Sequence, residues 1–253
     1  MRMSRDPAPD LWTCGGARPG APLLARPDTS GMPEVQLTNP GGGALGGDRL
    51  NLQVTVGAGA AATILTQGAT KAYRGVETAQ RARVSIEADG VLEYLPHHVI
   101  PFARSRWRQE TVVELSSAAR LLAWEAFAAG RVARGERFAF DRLSSRTVVL
   151  RDGTPVLIDG FELEGGGEPF NGWSYLATVQ VLAPVRLDGL ADELHTSLSE
   201  VPGARASASA PAEGLACARV LAQSAPSLAR TLGTVRVVAR SALGLEAPPR
   251  PLS

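Results

Sequence analysis

Residues 50–56 alternate between apolar and polar side chains, and this alternation constrains the fold more than any other feature of the chain. The segment reads Leu-Asn-Leu-Gln-Val-Thr-Val, so every second side chain is apolar. Successive side chains of a β-strand point to opposite faces, whereas a helix distributes them around its circumference. Residues 82–88 repeat the alternation and lead into the turn sequence Ala88-Asp-Gly90. Both segments are predicted to be strands with one buried and one solvated face.

Turn-forming residues are abundant between such segments. The chain has 27 glycines and 18 prolines, and only 5% of its residues are aromatic, which favours many short strands over long packed helices. Pro96 is expected to end the strand at 91–95. Residues 118–129 fit neither the helical nor the strand period, so the residues alone leave them ambiguous. Further strands are predicted at 91–95, 106–115, 147–151, 156–162, 204–210 and 215–222.

The last third of the chain changes to a helical period. Apolar residues recur every three or four positions in two segments, which predicts two amphipathic helices packed on the β body. Arg236 and Arg240 lie four positions apart on a different face of the second helix. The predicted fold is therefore mainly β, with a body of many short strands and two helices in the C-terminal third. The apolar positions are Leu187, Leu190, Ala191, Leu194 and Leu198, then Leu228, Leu232, Val235, Ala239 and Ala242.

Charge and composition exclude several classes of protein. The 26 basic and 25 acidic side chains leave a net charge of +1, which argues against nucleic-acid binding. Residues 50–70 carry no charge, but seven Asn, Gln and Thr side chains interrupt them, so no membrane span is predicted. Residues 1–10 lack the apolar core of a signal peptide. Cys14 and Cys217 are too few for a disulfide framework, which fits a reducing cytoplasm. No internal repeat is visible.

A glycine-rich segment at residues 39–48 reads Asn-Pro-Gly-Gly-Gly-Ala-Leu-Gly-Gly-Asp. A phosphate-binding loop would need a helix after it and a lysine or hydroxyl at a fixed offset. A strand is predicted to follow here, and no lysine is near. The preferred interpretation is a tight loop in which several glycines adopt positive φ and Asp48 accepts hydrogen bonds from backbone amides.

Polar residues are unusually dense around Lys71, which is the only lysine of the chain. A lysine could act as a base or a nucleophile, but the sequence supplies neither an apolar cage nor a paired carboxylate for it. A hydrogen-bonded network or a contact surface is the preferred interpretation. The residues predicted to belong to this motif or interface are Asp48, Thr66, Gln67, Thr70, Lys71, Tyr73, Arg74 and Pro96.

Candidate metal ligands are few. Imidazole suits nickel, but His97 and His98 are neighbours on an extended segment and should point to opposite faces, so at most one could bind a given ion. His195 follows Asp192 by three positions on a predicted helix, where the two side chains can form a weak ligand pair or a surface hydrogen bond.

Carboxylates on or beside the predicted strands are the other candidate ligands. Glu125 lies in a mostly apolar run, so it should pair with an arginine such as Arg131 or Arg134, or face water. The alternative is a hydrated internal path along which a divalent ion moves without tight capture. The candidate ligands of this transient path are Glu93, Glu125, Glu136, Asp141 and His97.

Three sequence blocks, in this order and at this spacing, resemble the urease accessory protein UreD family, called UreH in some organisms. They are residues 63–75 (Thr-Ile-Leu-Thr-Gln-Gly-Ala-Thr-Lys-Ala-Tyr-Arg-Gly), residues 92–96 (Leu-Glu-Tyr-Leu-Pro) and residues 100–102 (Ile-Pro-Phe). Gln109, Gly130-Arg131, Gly135-Glu136-Arg-Phe138 and Pro249-Arg250 extend the likeness to about residues 35–250. The resemblance divides the chain into a short variable segment, 1–34, and one UreD-like domain, 35–253. It also favours strand for residues 118–129.

The resemblance implies a cytoplasmic scaffold without catalytic activity. Such a protein binds UreF, joins UreG through UreF, and docks on urease apoprotein to deliver nickel, holding no tightly bound cofactor. Two departures concern the ends: residues before 35 lack the clear first strand of the family, and the Ile-Trp sequel to Pro249-Arg250 is absent. Leu65 stands where a second threonine is common.

Two rival functions remain open on the sequence. One is a stand-alone hydrolase on a β scaffold that uses a pair of carboxylates across a cleft. The other is a metal-binding protein centred on His97 or His98. Weak and dispersed oxygen ligands suit a carrier better than a Cys/His cage, because a carrier that holds nickel tightly cannot release it.

Overall fold

Two β-sheets packed face to face form the body of the protein. The computed structural model describes residues 2–5, 12–15, 23–27, 32–39 and 41–248. The seven-stranded sheet has the spatial order β14 (Thr154–Glu164), β13 (Arg142–Arg151), β11 (Arg106–Leu115), β8 (Thr78–Ile86), β5 (Arg49–Val56), β1 (Arg2–Arg5), β2 (Trp12–Gly15). The ten-stranded sheet has the order β16 (Ala204–Ala212), β17 (Leu215–Ala222), β15 (Tyr175–Leu182), β12 (Arg120–Ala128), β9 (Val91–Leu95), β6 (Ala61–Thr66), β4 (Pro33–Leu37), β3 (Leu23–Pro27), with β10 (Val99–Pro101) beside β12 and β7 (Thr70–Ala72) beside β10.

The central part of the chain winds alternately between the two sheets. Ala61, Val91 and Arg120 are registered neighbours on the parallel strands β6, β9 and β12. Arg49, Ala79 and Arg108 are likewise neighbours on β5, β8 and β11. Each turn of this coil therefore advances by 29 or 30 residues. This structural repeat was not visible in the sequence, because only the alternation of side chains recurs and not the residues themselves.

The predicted mainly-β fold with two C-terminal helices is confirmed. Among the described residues, α1 (Asp188–Ser199) and α2 (Ala225–Ala242) are the α-helices, and a 3₁₀ turn spans Val132–Arg134. The side chain of Ser224 caps α2 by accepting a hydrogen bond from the backbone N–H of Ser227, 3.2 Å away. Neither helix in the described ranges combines the length and hydrophobicity that a bilayer-spanning segment requires.

Three layers result, because both helices pack on the outer face of the ten-stranded sheet. The inter-sheet core contains Val54, Val84 and Val113 from one sheet and Ile64 and Leu92 from the other. The helix layer packs leucines and valines of α1 and α2 against the opposite face of β12, β15 and β17. Strand β12 is therefore buried on both faces, which explains why residues 118–129 showed neither period.

The amino-terminal segment contributes strands. Residues 1–34 were predicted to be a variable segment, and β1, β2 and β3 within it pair at the edges of the two sheets. Cys217 is a free thiol. The side chain of Cys14, and Pro249 and Arg250 of the predicted family motif, lie outside the described part of the structure.

Candidate functional site

A cavity of about 740 Å³ opens between the two sheets and is the candidate functional site. Its mouth is formed by the glycine-rich loop and by the segment around β7, and its inner end lies against β9, β11 and β12. Eight residues singled out from the sequence line it: Asp48, Thr66, Gln67, Thr70, Lys71, Pro96, His97 and Glu125.

The glycine-rich loop at the mouth has the predicted geometry. Gly42 and Gly47 adopt φ angles of 70° and 93°. The Asp48 carboxylate accepts a hydrogen bond from the backbone N–H of Leu45 at 2.8 Å. Strand β5 follows directly, so the requirement of a phosphate loop for a helix is not met.

Glu125 lies at the inner end of the cavity and is only 6% exposed. Gln109 on β11 donates a hydrogen bond to its Oε2 at 3.1 Å, and the Ser145 hydroxyl on β13 donates another. The predicted pairing with Arg131 or Arg134, or exposure to water, is wrong. Arg131 instead pairs with Glu136, and the side chains that satisfy Glu125 come from the opposite sheet.

Burial raises the pKa of Glu125 to about 7. Desolvation is the main cause, and the charge of Asp159 adds to it. The hydrogen bonds from Ser145 and Gln109 and the charge of Arg219 act in the opposite direction. The inner end of the cavity therefore holds a carboxyl group that changes its charge near neutral pH.

Stability should depend on pH through Glu125. The pKa of this group is raised in the folded state, from an ordinary 4.5 to about 7. Its contribution to stability is therefore fully present below about pH 4.5 and is lost as the pH rises through about 7, a change of about 3 kcal/mol. Glu125→Gln keeps the shape without the ionisation, so the gap in unfolding free energy between the variant and the natural protein should widen from pH 4.5 to 7. Chemical denaturation at several pH values measures this gap, and a gap that stays constant with pH would contradict the assignment.

Polar side chains continue beyond Glu125 into the inter-sheet core. Tyr94, Thr111, Thr147 and Gln180 line a gap of about 10 Å³, which is about the space for one water molecule. Gln180 is 3% exposed, and its Nε2 atom has no hydrogen-bond partner among the described atoms. Burial raises the pKa of Tyr94 to about 12, so this hydroxyl stays protonated. A small gap with several polar side chains thus lies beside Glu125 in the inter-sheet core.

The two adjacent histidines point in different directions, as the extended backbone predicts. His97 lines the cavity, and its backbone N–H donates to the Thr66 hydroxyl at 2.8 Å. The His98 ring packs edge-on against Tyr175, with centroids 5.2 Å apart. Burial lowers the pKa of His97, and burial together with His97 lowers the pKa of His98 to about 4. Both imidazoles are therefore neutral at pH 7, and only His97 faces the cavity.

Glu93 belongs to a different layer from Glu125. On β9, Tyr94 faces the inter-sheet space and Glu93 faces the helices. Its Oε2 atom accepts hydrogen bonds from Arg236 at 2.7 Å, from Arg240 at 2.9 Å and from the Thr63 hydroxyl at 2.7 Å. This carboxylate is fully buried and already engaged by two guanidinium groups, so we remove it from the candidate path.

The other predicted acidic ligands also lie away from the cavity lining. Glu136 is paired with Arg131 and accepts a hydrogen bond from the Ala103 amide at 2.9 Å, and these contacts lower its pKa. Asp141 is exposed. Tyr73 packs edge-on against Phe102, and Arg74 is exposed. Asp192 and His195 are exposed on α1. Across the described side chains, no three His, Cys, Asp or Glu residues form a group that could hold a metal ion.

Sequence analysis did not identify the partners of Glu125. On β11 the inward positions are Trp107, Gln109, Thr111, Val113 and Leu115, so two polar residues interrupt an otherwise apolar face. That interruption is a signal that the alternation could have revealed. Ser145 and Gln180 could be recognised only once the two sheets were placed face to face.

These features define a class: a two-sheet β-sandwich with a partly polar cavity between its sheets. The family assignment is more specific, because residues 18–252 match the family model described as UreD urease accessory protein. The chain belongs to the UreD family. The relatives compared below are all named urease accessory proteins, which favours the accessory role over the hydrolase alternative.

Curated relatives agree with this assignment. A urease accessory protein UreD of Sorangium cellulosum is 40% identical over 173 residues, covering 66% of this chain and 55% of the relative. That of Anaeromyxobacter sp. (strain Fw109-5) is 45% identical over 151 residues, covering 57% of this chain and 51% of the relative. That of Alkalilimnicola ehrlichii is 34% identical over 222 residues, covering 85% and 76%. The match to the first two spans about half of their length.

Proposed function

We propose that this chain is a urease maturation factor that acts in the cytoplasm as a non-catalytic scaffold. It binds UreF, joins UreG through UreF, and docks on urease apoprotein so that nickel reaches the urease active site. The observation that supports this proposal is the family match over residues 18–252, together with relatives that carry the name urease accessory protein.

The inter-sheet cavity serves, in this proposal, as a transient route for nickel. A Ni²⁺ ion entering it meets hydroxyl and amide oxygens, the neutral imidazole of His97 and then the carboxyl group of Glu125. Oxygen ligands that are dispersed along a path bind a divalent ion weakly, whereas several nitrogen or sulfur ligands at one point would hold it. Nickel is therefore cargo in transit and not a resident cofactor. Glu125 and His97 are the ligands retained from the original set.

Contact with the partners is assigned to the polar motif at the mouth of the cavity. Asp48, Gln67, Thr70 and Lys71 line the opening, and Arg74 is exposed close by. A partner docked here would cover the opening and keep the ion from escaping into solvent.

Co-purification tests the scaffold role. When this chain is produced with an affinity tag beside UreF and the urease subunits of its source, UreF and the urease subunits should elute with it after a high-salt wash. A matched sample without the tagged chain gives the background. Elution of the tagged chain alone would contradict the proposal, as would turnover of a substrate by the purified chain.

A further inference from the structure

Two of the most exposed large apolar side chains of the described structure lie on loops that contact each other. Val76 is 70% exposed and Leu45 is 63% exposed. Leu45 belongs to the glycine-rich loop, and Val76 to the turn between β7 and β8. The two loops touch: a Cβ atom placed on Gly47 would lie 3.4 Å from Cγ2 of Val76, and one placed on Gly46 would lie 3.0 Å from its backbone nitrogen.

The loops that carry this pair are held rigidly. A Cβ atom on Gly46 would lie 2.7 Å from the Cα atom of Gly75, so the two backbones approach as closely as only glycine allows. The Thr78 hydroxyl donates to the backbone oxygen of Leu45 at 2.7 Å, and the Asp48 carboxylate accepts from its N–H. Leu45 and Val76 are thus fixed in a solvent-facing position, and binding through them would cost little ordering entropy.

Basic side chains border this apolar pair. Lys71, Arg74 and Arg104 are all exposed, and among the described residues none of them has an ion-pair partner. Arg104 has a φ angle of 59°, an unfavourable conformation for a residue with a side chain, and its backbone contacts Gly75. Two carboxylates are close: Asp48 is bonded to Leu45, and Glu77 is half-buried. We call these five residues, Leu45, Val76, Lys71, Arg74 and Arg104, the Leu45–Val76 patch.

The patch adjoins the opening of the inter-sheet cavity. Lys71 belongs to both, and Gly42, Gly43 and Asp48 of the same loop line the cavity. Arginine is enriched in protein interfaces, and exposed apolar side chains rimmed by polar residues can mark an interaction site.

We propose that the Leu45–Val76 patch docks a partner protein that exchanges nickel with the cavity, and that the partner presents an apolar pocket bordered by carboxylates. This inference rests on the proposed function, narrows the partner contact at the mouth of the cavity to these five residues, and adds the chemistry of that contact. The apolar pair supplies the contact energy. The unpaired cations select an acidic surface and orient it over the opening.

Two variants test the patch separately: Leu45→Asp with Val76→Asp, and Lys71→Glu with Arg74→Glu. Two matched controls change the outer face of the seven-stranded sheet: Ile158→Asp, whose side chain is also 63% exposed, and Arg83→Glu with Arg146→Glu, all exposed. Binding of each full-length chain to purified UreF and, separately, to urease apoprotein is measured at low and high salt. Thermal unfolding confirms that each variant is folded.

Both patch variants should bind at least one of the two partners about tenfold or more weakly, while the controls bind normally. The natural chain should bind more weakly at high salt, whereas binding of the Lys71→Glu, Arg74→Glu variant should not weaken with salt and should strengthen where repulsion dominates. If the natural chain binds and both patch variants bind as it does, the patch assignment and the contact assigned to Lys71 and Arg74 are wrong, and the scaffold role stands. If the natural chain binds neither partner, the patch assignment and the proposed function are both wrong. The assignment to a protein partner is also wrong if the Lys71→Glu, Arg74→Glu variant binds both proteins normally and loses only the binding of a DNA duplex.

Discussion

Replacing Glu93 with alanine is expected to destabilise the protein by about 3–5 kcal/mol, a large part of the total stability of a typical domain. The substitution would leave Arg236 and Arg240, which are 3% and 1% exposed, without their carboxylate. Buried guanidinium groups that lose their counter-charge carry a large desolvation cost. Chemical denaturation at pH 7 measures the change in unfolding free energy.

Glu110→Ala is the matched control. Its carboxylate also pairs with two arginines, Arg81 and Arg108, but on the solvent-facing side of the seven-stranded sheet. Such exposed pairs contribute about 0–1 kcal/mol. A triple variant, Glu93→Leu with Arg236→Met and Arg240→Met, should recover much of the lost stability because it removes all three charges together. Equal losses for Glu93→Ala and Glu110→Ala would show that the cluster does not stabilise the attachment of α2.

Replacing Glu125 with alanine is expected to lower the rate of nickel loading of urease about tenfold. The reason is that Glu125 is the carboxylate at the inner end of the described cavity, where a partly dehydrated ion most needs a negative charge. A loss of about 1.4 kcal/mol of stabilisation at the slowest point of the route corresponds to that factor. The measurement is nickel bound per urease active site over time, with purified apoprotein, accessory partners and each variant chain.

Asp141→Ala is the matched control for this experiment, because Asp141 is exposed and does not line the cavity. It should support loading at the natural rate. Glu125→Gln mimics the protonated state, so its loading rate should resemble that of the natural chain below pH 7. Full loading by Glu125→Ala would show that nickel does not depend on the cavity. Reduced loading by Asp141→Ala would indicate a route along the surface.

Strand prediction succeeded where one face of a strand meets solvent. Strand β11 was predicted at 106–115 and observed at Arg106–Leu115, because its outward side chains, apart from Val112, are charged and its inward ones are mostly apolar. Strand β15, Tyr175–Leu182, was missed. Like β12, it is covered on one side by the other sheet and on the other side by the helices. Thr178 and Gln180 nevertheless alternate with Ala177, Val179 and Val181, a period of two that sequence analysis did not use.

The candidate site was predictable in composition but not in arrangement. The sequence singled out Glu93 and Glu125 as candidate ligands for which an unpaired buried charge would be costly, and both are buried. It could not separate their roles, because the arginines that neutralise Glu93 follow it by 143 and 147 positions. Because successive side chains of a strand point to opposite faces, Glu93 faces the helices and Glu125 faces the space between the sheets. The hydrogen bonds to Glu125 depend on the packing of the two sheets, which local sequence does not encode.

The most direct test asks whether urease needs this chain to receive its nickel. It measures the nickel content of urease purified from cells of the source organism that lack the chain. Cells with and without the chain are grown in the same nickel-supplemented medium, and metal per active site is determined by mass spectrometry. Urease should be mostly nickel-free without the chain, and its nickel content should recover when the natural chain is restored. Urease that is fully charged with nickel in its absence would contradict it.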